Sequence, residues 1–577
     1  MRVVLTGEGV TRHDGPADAP PVHPGDWSLG DVRRVAEGAL VVAGGLLSAG
    51  ERVMSARLAA LSGPEGRLWA RMAGRQGEVF RLDHLVYADV PDVEAAIDAL
   101  VELDLAQRVV SPRQAAEAFT VEELKEVCRA QGLPVGGRRE LLVERLAARR
   151  GWLRVSVARV ACKGLLRRLE LLWFRSRWRD RSAFLLERLG HARWAQYPIT
   201  PAEPPFLNRH ELLRFEEAAR LVAGERPPEA ILEELRACPP RPAQHRALDR
   251  RRLLTRLVLE EARTLERTGE PARAVALYEA VLGLGFAEPG PVAARLALAL
   301  EATGQPALGA TRCAEVWERA DAASRLTLAR TGRRLARRAG GHWRSTPPDK
   351  AAPERTLWLK RAPGEGPRPL WLDAALPVEA AVTHALRPRL ALHGENLVWT
   401  TLFGLLFADL YFLPVHGALP VPTLDGPLDL GTPAFAARRA EALNARLQEL
   451  EAGDGPGLIA EVWAAREGER LAGVSWALTS VETLQGVASG VGGPGLALIL
   501  GRLAREGWSA ARGLPDLVIA PGEALELPQA IPATVPSGLL LAEVKGPGDT
   551  LRDEQHAWHD LLVRAGVPCE VWRVKEA

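Results

Sequence analysis

Three charged side chains between residues 516 and 545 have the types and spacing needed to hold a metal ion beside a phosphate. Glu543 and Lys545 lie two residues apart in the aliphatic run 539–545, and alternate side chains of a strand point to one face. Burying both charges there without partners is costly, so Glu543 needs a nearby cation and Lys545 a nearby anion. A divalent metal ion and a phosphate meet both needs, and Asp516 supplies a second carboxylate. Carboxylate oxygens suit Mg²⁺ or Mn²⁺, so either ion is the expected cofactor.

The segments around these side chains predict two neighbouring buried strands, which follow a helical region in the sequence. Residues 517–520 and 539–545 are short aliphatic runs of the length and composition of core strands. Residues 378–390 show helical spacing. The apolar run 397–414 contains Asp409 and lacks basic flanks, so it predicts a buried helix rather than a membrane span.

A glycine-rich segment, Ser489–Gly495, precedes a predicted helix at 496–505. Free backbone N–H groups at a helix start can bind phosphate. These glycines match neither a P-loop nor a dinucleotide fingerprint, and no Lys-Ser/Thr pair follows them. We therefore favour a tight turn here over a phosphate-binding loop.

The order Asp516, then Glu543-x-Lys545, across two adjacent strands resembles the motif of restriction-endonuclease-like nucleases. The surrounding residues extend this likeness to the VRR-NUC nuclease domain. They read Gly513-Leu-Pro-Asp-Leu, Glu543-Val-Lys-Gly-Pro-Gly-Asp549 and, on the following helix, Gln555-x-x-Trp558.

Residues 119–146 predict two short helices that resemble the SAP DNA-binding module. Thr120 and Glu123 have the spacing of a capping box at the start of the first helix. The second helix begins after a Gly/Pro turn with Arg138 and Arg139, which are candidate DNA contacts. The alternative is a plain helical hairpin whose arginines are solvated.

A basic segment, residues 163–181, interleaves positive charges with aromatic side chains. This composition suits contact with a phosphate backbone, where each neutralised phosphate releases counterions. The candidate contacts are Lys163, Arg167, Arg168, Arg175, Arg177 and Arg179. A solvated helix face over a buried aromatic stripe is the alternative.

An internal repeat predicts stacked helix pairs in the middle of the chain. The sequence after Leu265 recurs after Leu300, so that Gly269 aligns with Gly304 and Pro271 aligns with Pro306. The offset of 304 − 269 = 35 residues is close to the period of about 34 of tetratricopeptide (TPR) repeats. The segment therefore predicts a helical scaffold.

The predicted fold is multidomain α+β, with mainly helical N-terminal and TPR-like regions followed by an α/β restriction-endonuclease-like core. Residues 27–110 mix helices with two short strands, as a winged helix does. The expected regions are an N-terminal winged-helix-like region (1–110), a SAP-like module (111–150), a basic helical linker (151–248), TPR-like repeats (249–340) and a VRR-NUC nuclease domain (355–577).

Composition limits the kinds of surface, metal site and cellular compartment that suit this chain. There are 74 Lys and Arg against 72 Asp and Glu, so any basic surface must be local. Five cysteines lie far apart without a Cys-x-x-Cys pair, which argues against structural zinc and favours a reducing compartment. We expect a cytoplasmic, nucleoid-associated protein without a membrane partner.

Taken over nearly its whole length, the chain resembles a bacterial member of the Fanconi-associated nuclease family. The resemblance implies a metal-dependent, structure-specific DNA endonuclease that cleaves 5′ flaps. It also implies a 5′-to-3′ exonuclease activity used in DNA interstrand crosslink repair. The implied partner is branched DNA, a 5′ flap or a fork, bound by a monomer.

The resemblance also assigns roles to individual residues. Asp516 and Glu543 fall on the metal carboxylates, Lys545 on the catalytic lysine, and the Val544 backbone carbonyl on a further ligand position. The family's His-Gly-Glu pattern matches residues 393–395, which makes Glu395 the upstream metal ligand. Gln555 falls on a glutamine behind the site that positions other groups.

Two positions depart from the family pattern. Some relatives capture the 5′ phosphate of the substrate with basic side chains where this chain has Trp508 and Glu554. A terminal-phosphate pocket of that design is therefore in doubt.

Two other functions remain alternatives. Holliday-junction resolvases resemble small relatives of this nuclease domain, but they need a symmetric dimer. A DNA-binding scaffold with an inactive nuclease domain is the other alternative, and the intact Asp516, Glu543 and Lys545 argue against it.

Overall fold

The computed structural model describes residues 24–109, 111–149, 151–152, 155–190, 193–200, 203–222, 224–238, 248–343, 352–363, 369–393 and 396–577. The chain divides into two compact units, Met1–Leu189 and Gly190–Ala577. In the first unit the helices are α1 (Pro24–Ala43), α2 (Ala49–Ala60), α3 (Gly63–Gly74), α4 (Val93–Glu102), α5 (Pro112–Ala115), α6 (Val121–Ala130), α7 (Arg139–Ala147), α8 (Lys163–Phe174) and α9 (Ser182–Arg188). Its strands are β1 (Val79–Arg81), β2 (Ala106–Arg108) and β3 (Val157–Val160).

The second unit contains the remaining elements. Its helices are α10 (Arg209–Arg220), α11 (Pro228–Arg236), α12 (Arg250–Arg267), α13 (Pro271–Leu284), α14 (Pro289–Ala302), α15 (Pro306–Val316), α16 (Ala322–Arg338), α17 (Val378–Ala385), α18 (Leu397–Leu406), α19 (Ala408–Tyr411), α20 (Pro433–Arg438), α21 (Ala440–Ala452), α22 (Gly455–Arg466), α23 (Val481–Val491), α24 (Gly493–Glu506) and α25 (Asp553–Arg564). Its strands are β4 (Arg193–Trp194), β5 (Glu354–Leu359), β6 (Ala391–His393), β7 (Glu469–Arg470), β8 (Leu517–Ile519), β9 (Leu525–Glu526), β10 (Ala530–Ile531), β11 (Thr534–Val535), β12 (Leu540–Lys545) and β13 (Cys569–Glu576).

The first unit combines helices with an antiparallel three-stranded sheet of order β1-β3-β2. The two strands predicted in residues 27–110 are present as β1 and β2. The middle strand, β3, comes from residues 157–160, inside the segment predicted as a helical linker. Its apolar side chains Val157 and Val160 are buried. This short run is therefore a strand that completes the sheet, where a helix was predicted.

The predicted SAP-like hairpin is present as α6 and α7. Thr120 and Glu123 form the capping box, in which the Thr120 hydroxyl accepts from the Glu123 N–H and the Glu123 carboxylate accepts from the Thr120 N–H. Leu124 of α6 and Leu142 of α7 are fully buried in one cluster with Trp152. The hairpin therefore has its own small core.

The predicted repeats form a stack of helices from α12 to α16, each packed on the next. Gly269 and Gly304 both follow a helix at positive φ, 85° and 80°. Pro271 and Pro306 both lie at the start of the next helix, where the missing N–H is tolerated. The 35-residue repeat thus corresponds to one helical hairpin that occurs twice.

The nuclease core is a six-stranded sheet of order β10-β5-β13-β12-β8-β6. Strand β12 pairs antiparallel with β8 and parallel with β13, and α25 connects β12 to β13. The predicted neighbouring strands are therefore adjacent. Ala542 and Val544 point into a cluster with Val382 and Leu386 near α17, which leaves Glu543 and Lys545 for the opposite face.

The glycine-rich segment is a tight turn, as favoured above. Gly492 lies between α23 and α24 with φ 76°. A Cβ on Gly493 would stand 2.5 Å from the Glu451 carbonyl oxygen and 2.6 Å from that of Leu450. Close approach of two backbones, rather than phosphate binding, explains the glycine here.

The predicted buried helix in residues 397–414 is present as α18 and α19, which are almost wholly buried. Within the described ranges, no single helix has the length and apolar composition to cross a membrane. Helices α23 and α24 meet those criteria only as a pair, and they are bent by 102°.

Candidate active site

The sheet brings Asp516, Glu543 and Lys545 together at the end of strands β8 and β12. Ala542 pairs with Leu517, so Asp516 and Glu543 are the next opposed residues toward this end of the two strands. The Val544 N–H donates to Asp516 Oδ2 at 3.0 Å. The Lys545 ammonium Nζ donates to Glu543 Oε1 at 2.5 Å, and Glu543 is 0% exposed. Both carboxylates and the lysine therefore form one cluster.

Gln555 joins this cluster from the first turn of α25. Its Oε1 accepts from the Arg552 N–H at 2.8 Å, and its Nε2 donates to Glu543 Oε1. The backbone donor fixes which end of the amide faces Glu543, since the Gln555 oxygen is already used. Gln555 thus holds Glu543 in place, and the positioning role expected for it stays a prediction.

Gly513 explains how the loop before Asp516 reaches α25. Its φ is +89°, a conformation that favours glycine. A Cβ at this position would stand 2.5 Å from the Glu554 carbonyl carbon and 2.8 Å from the Gln555 nitrogen. The Gly-Leu-Pro-Asp motif therefore sets Asp516 against the helix that carries Gln555.

Burial raises the pKa of Glu543 to about 8, and the nearby Asp516 charge adds to this rise while Lys545 opposes it. Glu543 Oε2 is buried and has no hydrogen-bond partner among the described residues. A cation between Asp516 and Glu543 would supply that partner and offset both negative charges. The donor set of carboxylate oxygens therefore fits a hard divalent ion.

The Val544 carbonyl and Glu395 are the other two proposed metal ligands. The Val544 N–H is used by Asp516, and a role for its carbonyl stays a prediction. Glu395 lies outside the described residues. His393, at the end of β6, pairs with Leu517 beside Asp516. In the part of the chain that the structure describes, no three His, Cys, Asp or Glu side chains form a group that could hold a metal ion.

His559 lies one turn after Gln555 on the same helix and was not predicted from the sequence. It is 2% exposed, and neither ring nitrogen hydrogen bonds to a described residue. Burial lowers the pKa of His559 to about 4, and positive charge from His556 and Lys545 lowers it further. The i, i+4 spacing from Gln555 was the available signal, since such pairs share a helix face.

We expect His559 to make the protein sensitive to acid. Its folded pKa is below the usual 6.5, so the unfolded state binds more protons between pH 6.5 and 4. The free energy of unfolding should fall by up to about 1.4 kcal/mol per pH unit as the pH drops through this window. In thermal melts, His559→Gln should lose less stability between pH 7 and 5 than wild type, and His384→Gln, at an exposed histidine of α17, should behave as wild type. Parallel losses in all three proteins would contradict the assignment.

The predicted DNA contacts of the first unit fall into two groups. Arg138 and Arg167 are exposed, and Arg177 and Arg179 are half-buried. Others face inward or support the fold, and their assignment as DNA contacts stays a prediction. Lys163 donates to the carbonyls of Arg75 and Gly77, Arg168 pairs with Glu51, Arg139 donates to the Ala116 carbonyl at 3.0 Å, and Arg175 is buried.

The helix that carries the segment explains why some of these side chains are buried. Helix α8 buries Leu166, Leu169 and Leu172, and a side chain at position 163 lies on that same apolar stripe. Lys163 can be buried there because its ammonium caps backbone carbonyls at the end of α3. Charge alone did not reveal which arginines and lysines face solvent.

Family models match three parts of the chain. The VRR-NUC domain matches residues 457–576, the HTH domain of FAN1 matches residues 29–107, and the SAP domain matches residues 115–148. The first of these contains every described residue of the cluster around Glu543. The other two coincide with the winged-helix-like and SAP-like regions.

Curated relatives cover the chain at different lengths. A Fanconi-associated nuclease 1 homolog of Pseudomonas aeruginosa is 29% identical over 564 residues, which cover 92% of each chain. The homolog of Arabidopsis thaliana is 25% identical over 92% of this chain and 65% of its own length. Human Fanconi-associated nuclease 1 is 32% identical over 34% of this chain and 19% of its own length. The chain thus spans less than two thirds of the plant relative and less than a fifth of the human one.

Solved structures are similar to this chain over nearly its full length. The crystal structure of paFAN1 bound to 2nt 5′ flap DNA with a gap superposes with a TM-score of 0.79 at 25% identity, covering 97% of this chain and 100% of that one. The complex of paFAN1 with 1nt 5′ flap DNA gives a TM-score of 0.76 over 96% of this chain.

Proposed function

We propose that this chain, which belongs to the Fanconi-associated nuclease family, is a metal-dependent, structure-specific DNA endonuclease that cleaves 5′ flaps. We assign to it also the 5′-to-3′ exonuclease activity used in interstrand crosslink repair. One observation carries the proposal: Asp516, Glu543, Lys545 and Gln555 form a single cluster at the ends of strands β8 and β12. Its support is the similarity to paFAN1, whose structures contain 5′ flap DNA.

Asp516 and Glu543 would hold Mg²⁺ or Mn²⁺, with the Val544 carbonyl and Glu395 as the further proposed ligands. When bound, such an ion supplies Lewis-acid chemistry, which favours deprotonation of an attacking water and offsets charge on the reacting phosphate. The choice between the two ions is part of the proposal, since both prefer oxygen ligands.

The protein's own groups prepare this site. The Val544 N–H fixes Asp516, and Gln555 fixes Glu543, so neither carboxylate is free to turn away. The Lys545 ammonium has donors beyond the one given to Glu543, and these can contact a phosphate oxygen. Lys545 would therefore orient the water and stabilise negative charge on the phosphate.

The two positions that depart from the family pattern hold an aromatic and an acidic side chain, and neither supplies positive charge for a phosphate. Trp508 packs edge-on against Phe403 with ring centroids 6.5 Å apart, and Glu554 is exposed. We therefore propose flap cleavage without a 5′-phosphate pocket built from these two side chains.

A panel of labelled substrates tests the function. The purified chain is incubated with 5′ flap, fork, nicked and four-way DNA, with Mn²⁺ and with EDTA. Preferred metal-dependent cutting of the flap is the expected result. Symmetric cutting of the four-way junction by a dimer would favour a Holliday-junction resolvase, and binding without cutting would favour an inactive scaffold. Protein mass in the flap complex distinguishes the proposed monomer from a dimer.

We expect the exposed arginines of the first unit to contribute salt-dependent DNA binding. Replacing Arg138 and Arg167 by Glu should weaken binding to all DNA structures. It should also reduce the slope of log K against log salt by about 0.9 for each duplex phosphate that the variant no longer neutralises. Arg108→Gln is the control, because Glu94 and Asp98 already pair with that guanidinium. An unchanged slope in the double variant would mean that both arginines are solvated and do not contact DNA.

This proposal places the protein on the bacterial nucleoid in the cytoplasm. The support is the presence of DNA-binding and nuclease domains in one chain. Imaging of a tagged chain with a DNA stain tests the location.

A further inference from the structure

The last helix of the repeat stack contacts the first residue of the helix behind the active site. Arg330 of α16 forms two parallel hydrogen bonds to Asp553 of α25, at 2.8 and 2.7 Å. The Thr327 hydroxyl, one turn earlier on α16, donates to the same carboxylate at 2.5 Å. Three donors from one helix therefore converge on a single side chain of another.

Asp553 is well placed to fix the start of α25. Its side chain is 11% exposed although that of Arg330 is 68% exposed, so the carboxylate is the sheltered partner. A carboxylate in the first turn also stabilises a helix, because the N-terminal N–H groups carry partial positive charge. The forked Arg–carboxylate geometry adds directional restraint beyond a simple charge pair.

The same turn of α25 holds Gln555. Gln555 accepts from the Arg552 N–H and donates to Glu543, so its reach depends on where this first turn lies. Asp553 is two residues away on that turn. A shift of the turn away from α16 would move the amide that restrains Glu543.

We infer that Arg330 and Asp553 form a positioning link between the helical repeats and the nuclease site. The link acts through Gln555 on Glu543, and it rests on the proposed function only for its effect on cleavage. Neither residue touches the reacting atoms. Misplacement of a catalytic group by about 1 Å can cost on the order of 10²-fold in rate, so a modest shift of the turn is enough to matter.

A matched control lies one turn further along α16. Arg334 pairs with Glu301 at 2.5 Å, and Arg338 pairs with the same carboxylate at 2.8 Å. Exposure is also similar, with 51% for Arg334 and 13% for Glu301. This pair ties α16 to α14 inside the stack and leaves α25 untouched.

The test compares Arg330→Gln, Asp553→Asn and the double variant with Glu301→Gln on flap DNA in saturating Mn²⁺. Each link variant should lower kcat about tenfold, within the range that misplacement causes, and leave KM within about twofold. The double variant should be no slower than Asp553→Asn alone, because Arg330 acts only through Asp553. Glu301→Gln should keep the wild-type kcat.

Hydrogen exchange gives a second measurement that does not need cleavage. The amides of residues 553–559 should exchange faster in Asp553→Asn and Arg330→Gln than in wild type or Glu301→Gln. Wild-type kcat in Asp553→Asn, additive losses in the double variant, or an equal loss in Glu301→Gln would overturn the link. If wild type cuts no flap, the proposed function fails, and hydrogen exchange still decides whether the link exists.

Discussion

Glu543→Gln, Asp516→Asn and Lys545→Ala should each lower flap cleavage on the order of 10³-fold, while flap binding stays within a few-fold. Glu543 and Asp516 are the described carboxylates of the cluster, and replacing either with an amide removes the charge that would hold a metal ion. Lys545 is the one cation that contacts Glu543 among the described residues. The proposed DNA contacts also include arginines of the first unit, so binding should survive.

A control and a contrary result make this prediction sharp. Glu526→Gln changes an exposed acid in the same domain, whose described partner is the Thr534 hydroxyl, and should leave cleavage unchanged. Single-turnover rates at saturating enzyme separate chemistry from binding. Near-wild-type rates in any one of the three variants would remove that residue from the site.

Metal binding to the protein should strengthen about tenfold for each pH unit from 5 to near 8, and each bound ion should release close to one proton. The reason is Glu543, whose pKa is raised to about 8 by burial and by Asp516. A metal ligand must lose its proton, so below that pH the ion competes with a proton for the same carboxylate. Calorimetry with Mn²⁺ in buffers of different ionisation enthalpy measures both quantities.

The same shift predicts the stability of the metal-free protein. The folded pKa of Glu543 is above the usual value of 4.5, so the folded state binds more protons between pH 4.5 and 8. The free energy of unfolding should therefore fall as the pH rises through this window, by up to about 1.4 kcal/mol per unit. In EDTA, Glu543→Gln should gain thermal stability over wild type as the pH is raised.

Melting temperatures at the two ends of this pH window test the prediction. Wild type and Glu543→Gln should melt at similar temperatures near pH 4.5, and Mn²⁺ should restore wild type alone at pH 8. A constant difference between the two proteins at all pH values would mean that Glu543 ionises without a burial penalty.

The sequence predicted the parts of the site that follow from local pattern. Alternation along 539–545 assigned Glu543 and Lys545 to one face, and the structure confirms this through their direct contact. The capping box at Thr120 and the 35-residue repeat were also readable, because both depend on neighbours a few residues apart or on a fixed period.

Contacts between distant segments could not be read in this way. Strand β3 pairs with β1 across the SAP-like hairpin, and Asp553 meets Arg330 across 223 residues. From the sequence, Lys163 was only a candidate DNA contact, because its partners, the Arg75 and Gly77 carbonyls, are backbone groups without any sequence signature. Tertiary packing decides such cases.

The order of strands in the nuclease sheet has a consequence for synthesis of the chain. Strand β13 lies between β5 and β12, so it joins the β10-β5 pair to the β12-β8-β6 group. Asp516, Glu543, Lys545 and Gln555 all leave the ribosome before this central strand does. A growing or truncated chain that lacks residues 569–576 carries the acidic and basic groups of the site but not the strand that unites the two halves of the sheet. The cutting activity proposed here would thus depend on β13 as well as on the site residues that precede it in the chain.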